Sequence, residues 1–399
     1  MDWRAFANLL SSERLPAAIV DLDAMDRNVD RVLDALAGTD KTCRVASKSV
    51  RHVGLLRRIL ERGGARFRGL MCFTLEEACF LHDRGFDDLL VAYPSLQASA
   101  LADVAGRVAE GATIRPMVDA REHLEACARA ARAAGTTLEV VLELDVAYQP
   151  ARRVHLGALR SPLRTARQLV ALAREAASME GVEVAGLMGY EAHVAGLPDD
   201  SPFSRALNPA RRALKRLAVP QVARARAEAV SALRQAGVDV RLVNGGGSGS
   251  LDTTTTEACV TEVTAGSGFL CSHLFDYFRA AHFEPAAFFA LEVSRAPTDD
   301  VITCLGGGYV ASGEPGWDRL PVPWMPPGLS YISMEGAGEV QTPLRLSGHG
   351  PRPRVGEPVI FRHAKAGELA ERFTEYLLVR SGEVVAREPT YRGEGGCFL

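Results

Sequence analysis

The sequence predicts a closed (β/α)₈ barrel, a TIM-like α/β fold, followed by a second, mostly antiparallel β domain. Three observations carry this expectation. Eight short apolar runs recur before residue 283, each followed by a helix or a helix-like segment. Those runs have the composition of strands buried on both faces. After about Phe283 the helical stretches stop, and strand-like runs follow one another across Gly, Pro and Asp turns. An open doubly wound sheet is the competing arrangement, but eight strand–helix repeats suit closure better.

In chain order the eight runs are RVAS (44–47), FRGLMC (67–72), DLLVAY (88–93), TIRPMVD (113–119), LEVVLELD (138–145), VAGLMGY (184–190), VRLVNGG (240–246) and CVTEVTAG (259–266). Stretches such as LEEACFLHDRG, REHLEACARAARAAG and PLRTARQLVALAREAASMEG separate them, and the last two end in Gly, a common helix stop. Beyond Phe283 the runs are FFALEVSRAP, DVITCLGGGYVASG, EVQTPLRLSG, EPVIFRHA and EYLLVRSGEVVAREPTY. The expected division is a barrel over 18–282 and a β domain over 1–17 plus 283–399.

The chain has 399 residues, of which 47% are hydrophobic and 24% charged, enough for a large core. A net charge of −3 with no basic block argues against nucleic acid or an anionic membrane surface as partner. The 8 cysteines form no Cys-x-x-Cys pair and most lie in apolar runs, so reduced, buried thiols are expected. The opening MDWRAFANLLSSERLPAA has early charges and no apolar core of signal-peptide length, and no run is long enough to span a bilayer. A soluble, cytoplasmic protein is expected.

Active sites of such barrels gather at the C-terminal ends of the strands. Those ends carry Lys48, Cys72 with Thr74, Tyr93, Asp119, Asp145, Tyr190 with His193, and two glycine-rich loops, VNGGGSGS (243–250) and TAGSGF (264–269). Glycine removes the Cβ, so several backbone N–H groups can converge on one anion, and Ser248 and Ser250 add hydroxyls. Two such loops at the last two strands suggest a phosphate site. A phosphate there and a lysine at the end of the first strand together suggest pyridoxal 5'-phosphate, with the lysine as its Schiff-base partner. On spacing alone, Lys48 reads better as a surface lysine at a helix start.

Several motifs, in order, resemble those of the fold type III pyridoxal-phosphate enzymes, the group with an alanine-racemase-like barrel. The D-threonine aldolase and D-serine dehydratase family (amino acid deaminase/aldolase) is the most similar branch. The motifs are LPAAIVDLDAMDRNVDRV, RVASKSVRH, GLMCFTLEEACFLHDRGFDDLLVAYP, MGYEAH, VNGGGSGS, TEVTAGSG and GEPVIFRHAKAGEL, and they extend over nearly the whole chain. The resemblance implies that Lys48 carries the cofactor and moves protons. It implies that Arg160, in GALRSPL, contacts the cofactor's phenolic oxygen, and that Tyr190 and His193 lie beside the ring. It also implies that Asn244, Gly246, Gly247, Ser248, Gly249, Gly266 and Ser267 line the phosphate. A homodimer is implied in the same way.

Two departures bear on the reaction. Where alanine racemases carry Arg-Pro-Gly at the eighth strand, this chain has Thr264-Ala265-Gly266, which brings no fixed positive charge to the pyridine nitrogen. Where the aldolases and dehydratases carry a metal-binding His-x-Asp or His-x-Cys pair, it has His363-Ala364-Lys365. An ammonium does not ligate a divalent ion, so no metal is expected, and Lys365 could supply positive charge in its place. The expected activity is that of a lyase on a small β-hydroxy amino acid, with aldolase-type Cα–Cβ cleavage. Lys48, His193, His363 and Lys365 are the catalytic candidates, His193 or His363 (or a water) taking the β-hydroxyl proton. Dehydration of a D-serine-like amino acid to an oxo acid and ammonia is the alternative. An amino acid racemase and a non-catalytic cofactor-binding protein are more distant ones.

Overall fold

A computed structural model describes residues 2–151, 153–348 and 350–399. Eight parallel strands close into a barrel: Thr42–Ala46, Phe67–Cys72, Leu89–Val91, Ile114–Val118, Leu138–Glu143, Val182–Met188, Leu242–Gly245 and Glu262–Ala265. The last pairs with the first, Glu262 opposite Thr42 and Ala265 opposite Val45, which removes both edges. All eight apolar runs read from the sequence are therefore barrel strands.

Strand periodicity sorts the barrel interior into layers, because alternate residues face inward. An apolar layer is built by Leu90, Met117, Val141, Met188 and Leu242, with Met71 against it. Two residues earlier on two of these strands stand Arg115 and Glu139, paired at 2.6 Å. Arg44 shares this polar lower layer and is bound to Glu262 at 2.7 Å. Two residues later come Asp119, Glu143, Tyr190 and Asn244, which form the upper rim. The period of two thus carries each strand from plug to site.

The helices surround the barrel. Helix Arg121–Ala134 stops at Gly135, whose φ of +68 is open to glycine at little cost. Helix Ala166–Ala177 ends at Ser178, so Gly181 serves the turn into the next strand instead of the cap. Two features escaped the sequence reading. A small hairpin, Tyr148–Ala151 with Val154–Leu156, is inserted after the fifth strand. A 28-residue helix, Asn208–Gln235, with Pro220 inside it, lies between the sixth and seventh.

The second domain is a nine-stranded sheet, mostly antiparallel. Its backbone is Ala287–Thr298, flanked by Val301–Leu305 and Pro358–Arg362. DVITCLGGGYVASG is strand only over its first part, since Gly306 and Gly307 turn the chain away. Strand Ala17–Asp21 lies in this sheet, between Ala287–Thr298 and Glu375–Arg380, so the boundary drawn at residue 18 falls inside a strand. The helix that follows, Leu22–Leu36, packs outside the barrel against helix Val53–Gly63. The opening helix Trp3–Leu9 belongs with the sheet, tied by Trp3 Nε1 donating to the carbonyl of Pro358 at 2.9 Å. No helix among the described residues is long and apolar enough to cross a membrane. All eight cysteines are unbridged, and burial raises thiols such as Cys127, to about 12.

Candidate active site

A cavity of about 1020 Å³ opens over the C-terminal end of the barrel, where the second domain meets it. Lys48, Arg160, Tyr190, Asn244, Gly246, Gly247, Ser248, Ser267 and Lys365 all line it. The chain brings these groups together from positions more than 300 residues apart.

Lys48 sits in a 3₁₀ turn, Ser47–Ser49, directly after the first strand. Its Nζ donates to Tyr93 Oη at 2.8 Å. The turn is held from two sides. Arg51, with φ of +52, donates from Nε to the Lys48 carbonyl at 3.0 Å and from Nη1 to Glu371 at 2.6 Å. Gly367 of the second domain presses on the same carbonyl so closely that a Cβ there would clash with it. This packing, not the local sequence, holds a lysine at the mouth of the barrel.

Arg160 follows the inserted hairpin. Its guanidinium carbon lies 5.3 Å from the ring centroids of both Tyr93 and Tyr190. Glu143 is buried beside them, and burial raises its carboxyl to about 7 against the pull of Arg160. Burial likewise pushes Tyr190 up to about 12.

The glycine loops are arranged differently from a plain fan of donors. The Gly246 N–H donates to Glu191 Oε2 at 3.1 Å, and the Gly247 N–H to Ser250 Oγ at 3.2 Å. Ser248 Oγ joins the two loops by accepting from the N–H groups of Gly266 at 3.1 Å and Gly268 at 3.0 Å. The N–H groups of Ser248, Gly249 and Ser267 have no partner among the described residues. The glycines are also required by packing. A Cβ on Gly247 would lie 2.9 Å from Ala195 Cβ, and one on Gly249 would strike the Ala195 carbonyl. Gly247→Leu should therefore lower cofactor affinity at least tenfold, by displacing Ala195 and Tyr190, with circular dichroism unchanged. Equal affinity in a cofactor titration would make the loop a turn and nothing more.

Behind these loops lies a charge network absent from the sequence reading. Arg226 is fully buried and pairs with Glu191 and Glu257. Glu191 also accepts from Ser250 Oγ at 2.7 Å and Thr254 Oγ1 at 2.6 Å. Burial opposes its ionisation, but Arg226 and the two hydroxyls outweigh burial and hold it below the usual carboxylate range. Glu191 sits inside MGYEAH, beside Tyr190, yet nothing in that motif pointed to Arg226, which lies mid-helix among other arginines. Asn244 is similarly engaged inside the barrel, its Nδ2 donating to Glu262 at 2.8 Å and Thr264 at 2.9 Å.

Four residues expected at the site do not line the cavity. Gly249 and Gly266 lie behind its wall. His193 is buried under the inserted hairpin, where a Cβ on Gly157 would lie 3.2 Å from its Nδ1, and both its ring nitrogens lack partners among the described residues. His363 is also buried, with Nδ1 3.2 Å from the Ala287 carbonyl. Burial and the neighbouring Arg362 lower its pKa to about 3. It faces a separate pocket of about 260 Å³. Lys365 does line the main cavity, but its Nζ donates to Ser312 Oγ at 2.7 Å and pairs with Glu368 at 3.1 Å. Among the described residues no three His, Cys, Asp or Glu side chains come together as a metal site.

Several known proteins resemble this chain. The chain is 26% identical over 260 residues to a 3-hydroxy-D-aspartate aldolase of Paracoccus denitrificans (strain Pd 1222), covering 64% of this chain and 60% of that one. It thus spans about three fifths of that relative. It is 25% identical over 323 residues to a D-threonine aldolase of Arthrobacter sp, covering 80% of this chain and 77% of the relative. In three dimensions it resembles D-threonine aldolase from Filomicrobium marinum, with TM-score 0.80, 22% identity and coverage of 95% and 96%. It also resembles D-threo-3-hydroxyaspartate dehydratase from Delftia sp. HT23, with TM-score 0.76, 20% identity and coverage of 96% and 98%. Residues 20–270 match the family described as alanine racemase, N-terminal domain. The chain therefore belongs to the alanine racemase N-terminal domain family, whose members are fold type III, pyridoxal-phosphate-dependent enzymes.

Proposed function

We propose that the protein is a pyridoxal-phosphate-dependent lyase that cleaves the Cα–Cβ bond of a small β-hydroxy amino acid. The observation that carries this reading is Lys48 facing the glycine loops across one cavity. The residues present fit the cofactor. Lys48 would hold it covalently, and the N–H groups of Ser248 and Ser267, both on the cavity wall, would take the phosphate. A side chain at Gly247 would press on Ala195 and Tyr190, so the backbone there stays bare. When bound, the cofactor supplies an electron sink for the bond that breaks at Cα.

The chain's own groups do the rest. Arg160, beside Tyr93 and Tyr190, offers a fixed positive charge that would favour an ionised cofactor oxygen. Lys48 is placed to hold or deliver a proton at its Nζ. With His193 and His363 away from the cavity, a water in the cavity is the remaining carrier for the β-hydroxyl proton. A homodimer is part of the proposal, supported by exposed Phe203 and Trp317 at the cavity mouth. The two aldolases among the relatives favour aldol cleavage, and the dehydratase keeps β-elimination as the second outcome.

The deciding experiment is a product screen of purified enzyme with D- and L-forms of threonine, serine and 3-hydroxyaspartate. Glycine plus an aldehyde is expected. An oxo acid plus ammonia would make it a dehydratase. Solvent deuterium at Cα with inversion alone would make it a racemase, and no turnover at all a cofactor-binding protein.

Metal independence belongs to the same proposal. Lys365 is half exposed and already paired with Glu368, so its charge reaches a substrate weakly. Lys365→Met should slow turnover less than tenfold, in keeping with the ~1 kcal/mol of an exposed pair. Chelator should leave activity intact. Loss of activity in chelator, restored by manganese or zinc, would overturn metal independence.

A further inference from the structure

We propose that Tyr93 is a catalytic residue, the proton partner of Lys48. This rests on the functional reading above and adds a group that reading does not use. Tyr93 follows the third barrel strand by two residues, and its Oη is the hydrogen-bond partner of Lys48 Nζ at 2.8 Å. The ammonium is 5.4 Å from the ring centroid, so the contact is made at the oxygen and not over the ring face.

The groups facing this phenol come from three elements. Lys48 comes from the turn after the first strand, Arg160 from the segment after the hairpin, and Glu143 from the fifth strand. Two are cations and one is a carboxyl. Burial works against ionisation, but Lys48 and Arg160 outweigh it and hold the phenol below the usual tyrosine value. A tyrosine placed only for packing would need neither cation.

A lysine amine attacks an aldehyde, or takes a proton, only when it is neutral. When Tyr93 is ionised, its phenolate accepts one proton from the Lys48 ammonium. One N–H bond breaks, one O–H bond forms, and a charge pair becomes two neutral groups. No further reactant enters. Run backwards, the same transfer recharges Lys48 when a proton must be delivered. Lys48 Nζ and Tyr93 Oη lie at a separation short enough for direct proton transfer.

Tyr93→Phe keeps the ring beside Arg160 and removes only the oxygen. Mixing pyridoxal phosphate with the cofactor-free full chain and following the visible band reads the attachment rate to Lys48 without any turnover. The variant should attach the cofactor on the order of 10²-fold more slowly near pH 7.5, the lower range for acid–base assistance. The deficit should shrink as pH rises towards the intrinsic range of lysine. With substrate, kcat should fall and KM stay. Equal rates, or a slowing that is uniform across pH, would overturn the proposal and leave Tyr93 a packing residue.

A second measurement needs neither this variant nor the cofactor. Ultraviolet difference titration of the wild-type chain should resolve a low-titrating phenol that moves upward in Lys48→Met. If Lys48→Met leaves every phenol where it was, the pairing is wrong. Should the chain fail to take up the cofactor at all, the functional reading fails by itself, and the titration still decides the pairing.

Discussion

Lys48→Ala is expected to abolish turnover. The substitution removes both the covalent anchor and the amine that moves protons. Proton transfer by a positioned side chain alone is worth roughly 10²–10⁴-fold, and loss of the anchor adds to that. The wild-type protein loaded with cofactor should show a visible band that borohydride bleaches, leaving the label on Lys48. The alanine variant should show neither the band nor the label. Its fold should survive, because the turn is held through the Lys48 carbonyl by Arg51 and by the approach of Gly367. Turnover equal to wild type would remove the basis of the proposed function.

Arg226→Met is expected to give the largest loss of stability. The guanidinium is fully buried between Glu191 and Glu257 and also donates to the Gly189 carbonyl at 3.0 Å. Removing one partner of a buried ion pair typically costs about 3–5 kcal/mol, because the remaining charge stays buried without compensation. Here two carboxylates would be left, and Glu191 also fixes the Gly246 N–H, Ser250 and Thr254. The loss should therefore reach the cofactor as well as the fold, with both melting temperature and cofactor affinity falling. Glu191→Gln, which keeps the shape, should lower affinity with a smaller change in melting temperature. A melting temperature within a degree of wild type for Arg226→Met would mean that the network does not brace the loops.

The barrel was legible because its signal is local. Each strand is a short apolar run, and each is closed by a rim residue whose type is wrong for a core. Locality is no guide at Ala17–Asp21. Its apolar run is indistinguishable from a barrel strand, but its neighbours are Phe288 and Leu377, far along the chain. The inserted hairpin was invisible because YQPA and VHL carry no periodic pattern, although they deliver Arg160 to the tyrosines.

Sequence by itself determined the barrel, its eight strands and the β domain after residue 283, and pointed to Lys48, Tyr190 and Ser248 at the strand ends; Arg160 came only from the family resemblance. Alternation with a period of two and the chemistry of glycine and lysine are properties of short segments, so short segments reveal them. The tertiary structure alone placed Lys48 at the cavity mouth, since Tyr93, Arg51 and Gly367 hold its amine and its turn from distant parts of the chain. It also decided that His193 and His363 face away from the cavity, and that Lys365 is paired with Glu368. Direction and pairing of a side chain depend on what packs against it from distant parts of the chain. Burial and partner geometry, which fix charge and reach, are not encoded within any single motif.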